Sequence, residues 1–450
     1  MTTHKQDTLI IGGKVVLGND IIETDIWIRG DKIAALGHFP SHAYGDARVI
    51  DASGLIVLPG AIDAHCHIAL DTGVFATQDD WFIGTREAAF GGITTVIDFV
   101  GPTPGQALHD ALLARLAQAQ EACIDYTFHM TALDAKPQTL QAIAQCPSWG
   151  ISSLKIYTTY RPNYYLDDEA ILAILQVAAQ NGLITLIHCE NDAIVTAEKT
   201  RHEAHAPWRC YPDMRPAIAE TEAAQRMLRL AAYAKAKVVI AHNSCAETAR
   251  LVSAARREGQ AVYNETCPQY LYLRQEDNYT SPEPWRFILQ PPLRTQTDND
   301  DLQSAVQNGD VSCLVTDHCA YTRAQKRHDP QNSPGGLPGL ETLLPLTAAV
   351  PGITWPQIAR LLAESPAKIY GLWPHKGALL PGFDADILLI KDECYTLNEN
   401  ALHGFAGYSP FHGKQARGKI VHVMRRGETI LEDGKFSASP GSGRFLHATL

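Results

Sequence analysis

The sequence predicts an α/β protein: a distorted (β/α)8 TIM barrel with a small β-sandwich domain built from both chain ends. Three observations lead there. Both ends of the chain read as short strands separated by turns, the middle alternates helix with strand, and the strands of the middle are nearly continuous apolar runs. Alternating strands joined by tight turns belong to antiparallel structure, whereas apolar strands separated by helices belong to a parallel sheet covered on both faces.

In chain order, "TLIIGGKVVLG", "IIETDIWIRGDKIAALG" and "ARVIDASGLIVLPG" are the first strand-like pieces, with turns at "GG", "GND" and "GDK". "DDWFIGTREAAFGG" is an amphipathic helix with a glycine stop, and the strand "ITTVIDFV" follows it. The same unit recurs as "DEAILAILQVAAQNG" with "LITLIHCE", "ETEAAQRMLRLAAYAKA" with "KVVIAHNS", and "DNDDLQSAVQNG" with "VSCLVTDH". This alternation over about 310 residues, with no G-x-G-x-x-G fingerprint, favours a barrel over a dinucleotide-binding sheet. "GALLPGFDADILLIK" and "GKIVHVMRRGETILEDGKF" then return to turn-punctuated strands. Residues 1–57 and 376–450 are therefore assigned to one β domain, and residues 58–375 to the barrel inserted between them.

A chain of 450 residues exceeds one ordinary domain but fits a large barrel plus a smaller one. A hydrophobic share of 45% and a charged share of 19% place it among soluble globular proteins. The formal net charge of −11, with basic residues scattered, excludes a nucleic-acid footprint and attraction to an anionic membrane. No apolar run reaches the length of a secretory core or a membrane span. Ten cysteines lie apart with no C-x-x-C pair, which argues against a zinc ribbon or redox motif and for a reducing cytoplasm.

"GAIDAHCHIAL" raises the chemical question. In a strand, positions i and i+2 share a face, so His65 and His67 point the same way. Two such histidines fit ordinary core residues as well as half of a metal site. The remaining strand ends add Lys155 in "SSLKIYTTY", His188 in "LITLIHCE", His242 in "KVVIAHNS" and Asp317 in "CLVTDH". Barrel active sites are built from the C-terminal ends of strands, and six such groups in succession make coincidence a poor account. Four imidazoles and a carboxylate exceed the three protein ligands of one catalytic zinc but suit two metals sharing a hydroxide. An ammonium beside two dications would be repelled. A neutral Lys155 amine that has taken up carbon dioxide becomes an anionic carbamate able to bridge them, and burial near cations favours the neutral amine.

At these residues the chain resembles the cyclic amidohydrolases, specifically the dihydropyrimidinase/hydantoinase family. The resemblance runs from "TLIIGGKVV" to "ILEDGKF" and is carried by "DAHCH", "GTREAAFGGITTVIDF", "LKIYTTY", "NETCPQYLYL", "PPLR", "TDHC", "GLPGLE" and "SPAKIYGL". It implies two divalent metal ions, zinc or alternatively manganese. His65, His67 and Asp317 would bind one and His188 and His242 the other, with N6-carboxylated Lys155, formed with carbon dioxide, between them. Asp317 would shuttle the proton, and Tyr160 would hydrogen-bond the tetrahedral oxyanion. Family substrates are held largely through backbone groups at positions here occupied by Gln290 and Gly335, where hydantoinases usually carry serine and asparagine. Dihydroorotases have an arginine where Ala69 stands, which argues against a ring carboxylate.

The implied substrate is a small cyclic amide, a 5-substituted hydantoin or dihydropyrimidine opened to an N-carbamoyl amino acid. Allantoin and cyclic imides are the alternatives. The implied assembly is a homotetramer or homodimer, without nucleic-acid or membrane partners. A catalytically silent scaffold is the rival from another class, and the six filled ligand positions speak against it. His318, next to Asp317, is expected to face away as support for the site or as a hydrogen-bonded core histidine.

Overall fold

The computed structural model describes residues 6–202, 206–327 and 329–450. The chain opens with β1 (Thr8–Leu17), β2 (Asp20–Arg29), β3 (Lys32–Gly37), β4 (Arg48–Asp51) and β5 (Ile56–Pro59). Eight strands follow in the middle: β6 (Ala61–Asp63), β7 (Ile93–Val100), β8 (Asp125–Thr131), β9 (Ser153–Tyr157), β10 (Ile184–His188), β11 (Lys237–Ile240), β12 (Val262–Thr266) and β13 (Cys313–Leu314). The last four are β14 (Ile387–Thr396), β15 (Gln415–Arg425), β16 (Glu428–Glu432) and β17 (Lys435–Phe436).

The two chain ends form one nine-stranded mixed sheet in the order β17-β16-β15-β14-β5-β1-β2-β3, with β4 also on β1. Its junction is the antiparallel pairing of β14 with β5, in register from Ile387 opposite Pro59 to Ile390 opposite Ile56. Period-2 alternation decides what each face touches. Val57, Ile387 and Leu389 join Ile10, Ile26 and Ile33 in a small core of the sheet itself. Their neighbours Ile56, Leu58, Leu388 and Ile390 point the other way, into the core shared with the barrel. The small β domain expected from both ends is thus present, as one continuous sheet.

β6 to β13 are parallel neighbours in sequence order, the barrel predicted from the apolar strands. Helices such as Gln296–Asn308 cover them. That helix starts on a capping box between Thr295 and Asp298 and stops at Gly309, whose φ of 79° few other residues adopt. The seam between β13 and β6 closes just beyond the ladders. The Asp63 carboxylate accepts from the Thr316 amide (3.0 Å), the Asp317 amide donates to the His65 carbonyl (2.9 Å), and the His67 amide donates to the His318 carbonyl (2.7 Å). Closure therefore sets residues 65–67 against 316–318. Among the described residues, no helix is long and apolar enough to cross a membrane.

A buried ion cluster ties sheet to barrel. The Lys376 ammonium lies 2.6 Å from Asp125 on β8, 2.7 Å from Asp386 and 3.0 Å from Asp384. Burial opposes its charge, but the three carboxylates prevail and hold its pKa above the usual lysine value. Without Lys376, Asp125 keeps Arg426 and Asp384 keeps Lys32, but buried Asp386 loses its ammonium. Lys376→Met is therefore expected to cost about 3–5 kcal/mol of stability. Denaturant titration checks this; a loss below 1 kcal/mol, on the order of a surface ion pair, would contradict it.

Candidate active site

The C-terminal ends of the barrel strands open into a cavity of about 670 Å³. Its lining includes His65 and His67 after β6, Lys155 on β9, Tyr160 after β9, His188 ending β10, His242 after β11 and Asp317 after β13. All seven side chains selected from the sequence as metal-binding or catalytic thus face one space. Gln290 and Gly335 line it as well.

The backbone is strained where these groups sit. Seven described non-glycine residues have positive φ, and four of them line the cavity: Ala69 (49°), Tyr160 (76°), His242 (34°) and Asp317 (49°). Each such conformation costs on the order of 1–3 kcal/mol and persists only where the surrounding structure enforces it. Here the enforcement includes the barrel seam and the paired strand ends.

His65 and His67 approach Asp317 from two sides, their Nε2 atoms 3.2 and 3.4 Å from Asp317 Oδ1. Ligand atoms of these three residues all lie within 4.8 Å of one another, the spacing of a metal-binding group. His65 Nδ1 is hydrogen-bonded to buried Glu265 on β12, which leaves its Nε2 to face the cavity. His188 is oriented in the same manner. Its Nε2 meets Glu190 at 2.7 Å, and Glu190 is paired with buried Arg215, whose Nε is 2.9 Å away. The His242 ring lies 4.5 Å from that of His188, and its Nδ1 is buried with no hydrogen-bond partner among the described residues.

Electrostatics keep this set in its ligand form. Burial depresses the pKa of His65, His188 and His242, with Lys155 adding to the effect on each; His188 also feels Glu190, which opposes it. Lys155 is fully buried, with Nζ 5.2 Å from the centre of the Phe99 ring and 5.1 Å from that of Tyr157. Burial lowers its pKa to about 8, against the pull of Glu265 and Asp317. Neutral imidazoles, a carboxylate and a lysine whose loss of a proton is eased by burial are the donor types a divalent metal centre uses. The orphaned His242 nitrogen fits the same reading.

Tyr160 lies beside this cluster, its ring 4.9 Å from that of His188 and 5.2 Å from the Arg215 guanidinium. Burial pushes the Tyr160 phenol up, so it remains a neutral O–H donor. Tyr157 and Tyr164, with ring centres 5.2 Å apart, add flat amphipathic surface.

The two departures noted at the ring-binding positions form one feature. A Cβ at Gly335 would stand 3.0 Å from Cγ of Gln290. The longer glutamine occupies the room that a side chain at 335 would need.

Ala69 has a cation beside it, one that the sequence did not single out. Arg115 donates to the carbonyls of Ala69 (3.2 Å) and Ile68 (2.6 Å) and pairs with buried Asp98. That guanidinium is committed, so a carboxylate placed on the ring there meets no free charge. Neither Arg161 nor Arg294 supplies that charge. Arg161 pairs with Asp192 at 3.2 Å and stacks on Tyr165, while Arg294 is buried on Ser244 (2.8 Å) and the Arg215 carbonyl (2.6 Å).

His318 turns away from the cavity lining as expected. Its Nδ1 accepts from the Gly339 amide (3.1 Å), which leaves Nε2 to donate to Asp79 (3.2 Å). It thereby supports the "GLPGLE" segment. Glu265, Glu190, Arg115 and Lys199 also belong to the site or its support and were not selected from sequence. Glu190 closes "LIHCE" and Glu265 lies in "NETCPQYLYL", so the logic of ionisable groups at strand ends extends to both.

Comparison with known proteins gives a consistent picture. The amidohydrolase family profile matches residues 56–430. D-phenylhydantoinase of Escherichia coli O9:H4 (strain HS) is 36% identical over 455 aligned residues, covering 97% of each chain. Among solved structures, dihydropyrimidinase from Brevibacillus agri NCHU1002 superimposes with a TM-score of 0.94 at 32% identity, over 99% of both chains. D-hydantoinase from Bacillus sp. AR9 gives 0.95 at 33% identity, over 98% of this chain and 99% of its own. L-hydantoinase from Arthrobacter aurescens gives 0.89 at 28%, with the same coverage, so the fold is shared by enzymes named for either hand.

Proposed function

This chain belongs to the amidohydrolase family, as a cyclic amidohydrolase of the hydantoinase/dihydropyrimidinase type, and on that premise we propose a metal-assisted ring opening of 5-substituted hydantoins or dihydropyrimidines to N-carbamoyl amino acids. The observation that carries the proposal is the convergence of four histidines, Asp317 and Lys155 on one cavity.

His65, His67 and Asp317 would hold one divalent metal and His188 and His242 a second, with carboxylated Lys155 as the anionic ligand they share. The neutral Lys155 amine adds to carbon dioxide and loses a proton, which makes the carbamate. Zinc suits these nitrogen and oxygen donors, and manganese is the alternative. Such metals, when bound, polarise the scissile carbonyl and lower the pKa of water towards neutrality.

The remaining work belongs to the chain itself. Asp317 takes the proton of the attacking water and delivers it to the leaving ring nitrogen as the carbon–nitrogen bond breaks. Tyr160 donates its hydroxyl to the oxygen on which negative charge develops. Glu265 and Glu190 fix the rings of His65 and His188 so that neither turns during the reaction. The tyrosine wall takes the ring substituent.

The test is a panel of hydantoin, 5-phenylhydantoin, dihydrouracil, allantoin and succinimide, run on protein loaded with zinc or with manganese. Turnover of a hydantoin or dihydrouracil is expected. A fully metal-loaded protein that opens none of the rings would refute the proposal, and allantoin or succinimide alone would redirect it.

Tyr160→Phe isolates the oxyanion role. It is expected to lower kcat about 10²–10³-fold, the usual effect of losing one such donor. Metal content should stay at the wild-type value, because the ring remains. Steady-state kinetics with metal analysis check this, and a kcat within a few-fold of wild type would remove Tyr160 from the chemistry.

A further inference from the structure

The cavity wall carries three cations that the reaction above leaves unused, Arg115, Arg161 and Lys199. Lys199 lies in the last turn of the helix Asp192–Arg201, which follows β10, and its side chain lines the cavity, half-buried. Among the described residues no carboxylate forms an ion pair with it.

Its acidic neighbours are taken. Glu190 is held by Arg215 and His188. Asp192 is held by the Arg161 guanidinium at 3.2 Å and the Thr159 hydroxyl at 3.2 Å. Asp71, the exposed acid of the lining, accepts from the Gly73 amide at 2.8 Å in its own loop. Burial, and after it the Arg215 charge, draw the Lys199 pKa down to about 8 against the pull of Glu190 and Asp192, which still leaves it a cation at neutral pH. The other cations of the wall are matched: Arg115 by Asp98, and Arg161 by Asp192. Among the described residues this ammonium, kept partly out of water, has no carboxylate of its own, a cost that an anionic ligand would relieve.

We propose that this wall is a subsite for a carboxylate carried on the substituent of the substrate ring, with the Lys199 ammonium as its counter-ion. The inference rests on the ring-opening function proposed above and narrows its substrates to hydantoins or dihydropyrimidines with an acidic side arm. It differs from recognition of a ring-attached carboxylate beside Ala69, where Arg115 is already paired with Asp98 and two backbone carbonyls. A flexible arm lets the acid reach the helix wall while the ring stays at the ligand cluster. The lysine stem is long and mobile enough to meet it.

The experiment compares kcat/KM for 5-(2-carboxyethyl)hydantoin with that for its neutral isostere, 5-(2-carbamoylethyl)hydantoin, on the metal-loaded enzyme. The acid is expected to be preferred by about 10–100-fold, the range for a partly desolvated charge-assisted contact. Lys199→Gln should bring that ratio towards one, Lys199→Arg should keep most of it, and added salt should reduce it in the wild type. A wild-type ratio near one, or a ratio unchanged in Lys199→Gln, overturns the subsite while leaving the ring-opening function intact. Failure to open any cyclic amide would instead overturn the function and the subsite with it.

Discussion

Lys155→Ala is expected to remove bound metal and activity together, with kcat/KM falling by about 10³-fold or more. That figure follows from losing several kcal/mol of metal-assisted stabilisation of the transition state. The physical reason is the position of Lys155. It is fully buried among His65, His188 and His242, whose own pKa values are depressed in part by its charge. An ammonium there would repel a dication, whereas a carbamate would attract two. The alanine variant would lose that anion without disturbing β9, because the residue lies within the strand and its backbone pairing is independent of side chain. A short-chain carboxylic acid at high concentration should restore part of both metal content and activity by supplying the missing carboxylate. Plasma emission analysis gives the metal, and native mass spectrometry gives the extra mass of one carbon dioxide on the wild type. A metal-loaded, active enzyme with an unmodified Lys155 would refute the carbamate.

Asp317→Asn is expected to lower kcat by about 10²–10⁴-fold, the range contributed by a positioned general acid–base. It should exceed the loss in Tyr160→Phe, because in the proposed function the carboxylate would serve twice. Asp317 Oδ1 lies 3.2 and 3.4 Å from the Nε2 atoms of His65 and His67, so in the proposed function its charge would hold a metal as well as move a proton. The amide is close in shape but neither accepts the water proton nor neutralises a cation. Metal occupancy should therefore fall partly in Asp317→Asn and remain full in Tyr160→Phe. Measuring both variants side by side on one hydantoin separates the roles. An Asp317→Asn enzyme faster than Tyr160→Phe would show that the proton travels by another group.

Much of the site was legible because its selection rule is one-dimensional. A strand end is recognisable from an apolar run and the turn beyond it, and a barrel converts strand ends into neighbours whatever their separation. His65, His67, Lys155, His188, His242 and Asp317 could thus be chosen before any contact was known. Tyr160 and Gln290 needed the family resemblance, since an aromatic or an amide near a strand end has no distinctive pattern of its own.

The sequence by itself determined the alternation of elements, the joining of both chain ends in one β domain, and the residue types gathered at the mouth of the barrel. Those properties are set by local periodicity, turn residues and the order of strands. Only the tertiary structure decided which of the gathered groups are free and which are engaged. His65 is steered by Glu265 from 200 residues away, Arg115 is engaged by Asp98 and two carbonyls, Gln290 fills the space over Gly335, and Lys199 on the cavity wall forms no ion pair among the described residues. The strained φ values of Tyr160, His242 and Asp317 belong to the same category. Whether a side chain is spent or available depends on distances across the closed barrel and on what each neighbour already bonds. Those are fixed when the seam between β13 and β6 closes, and no local pattern encodes them.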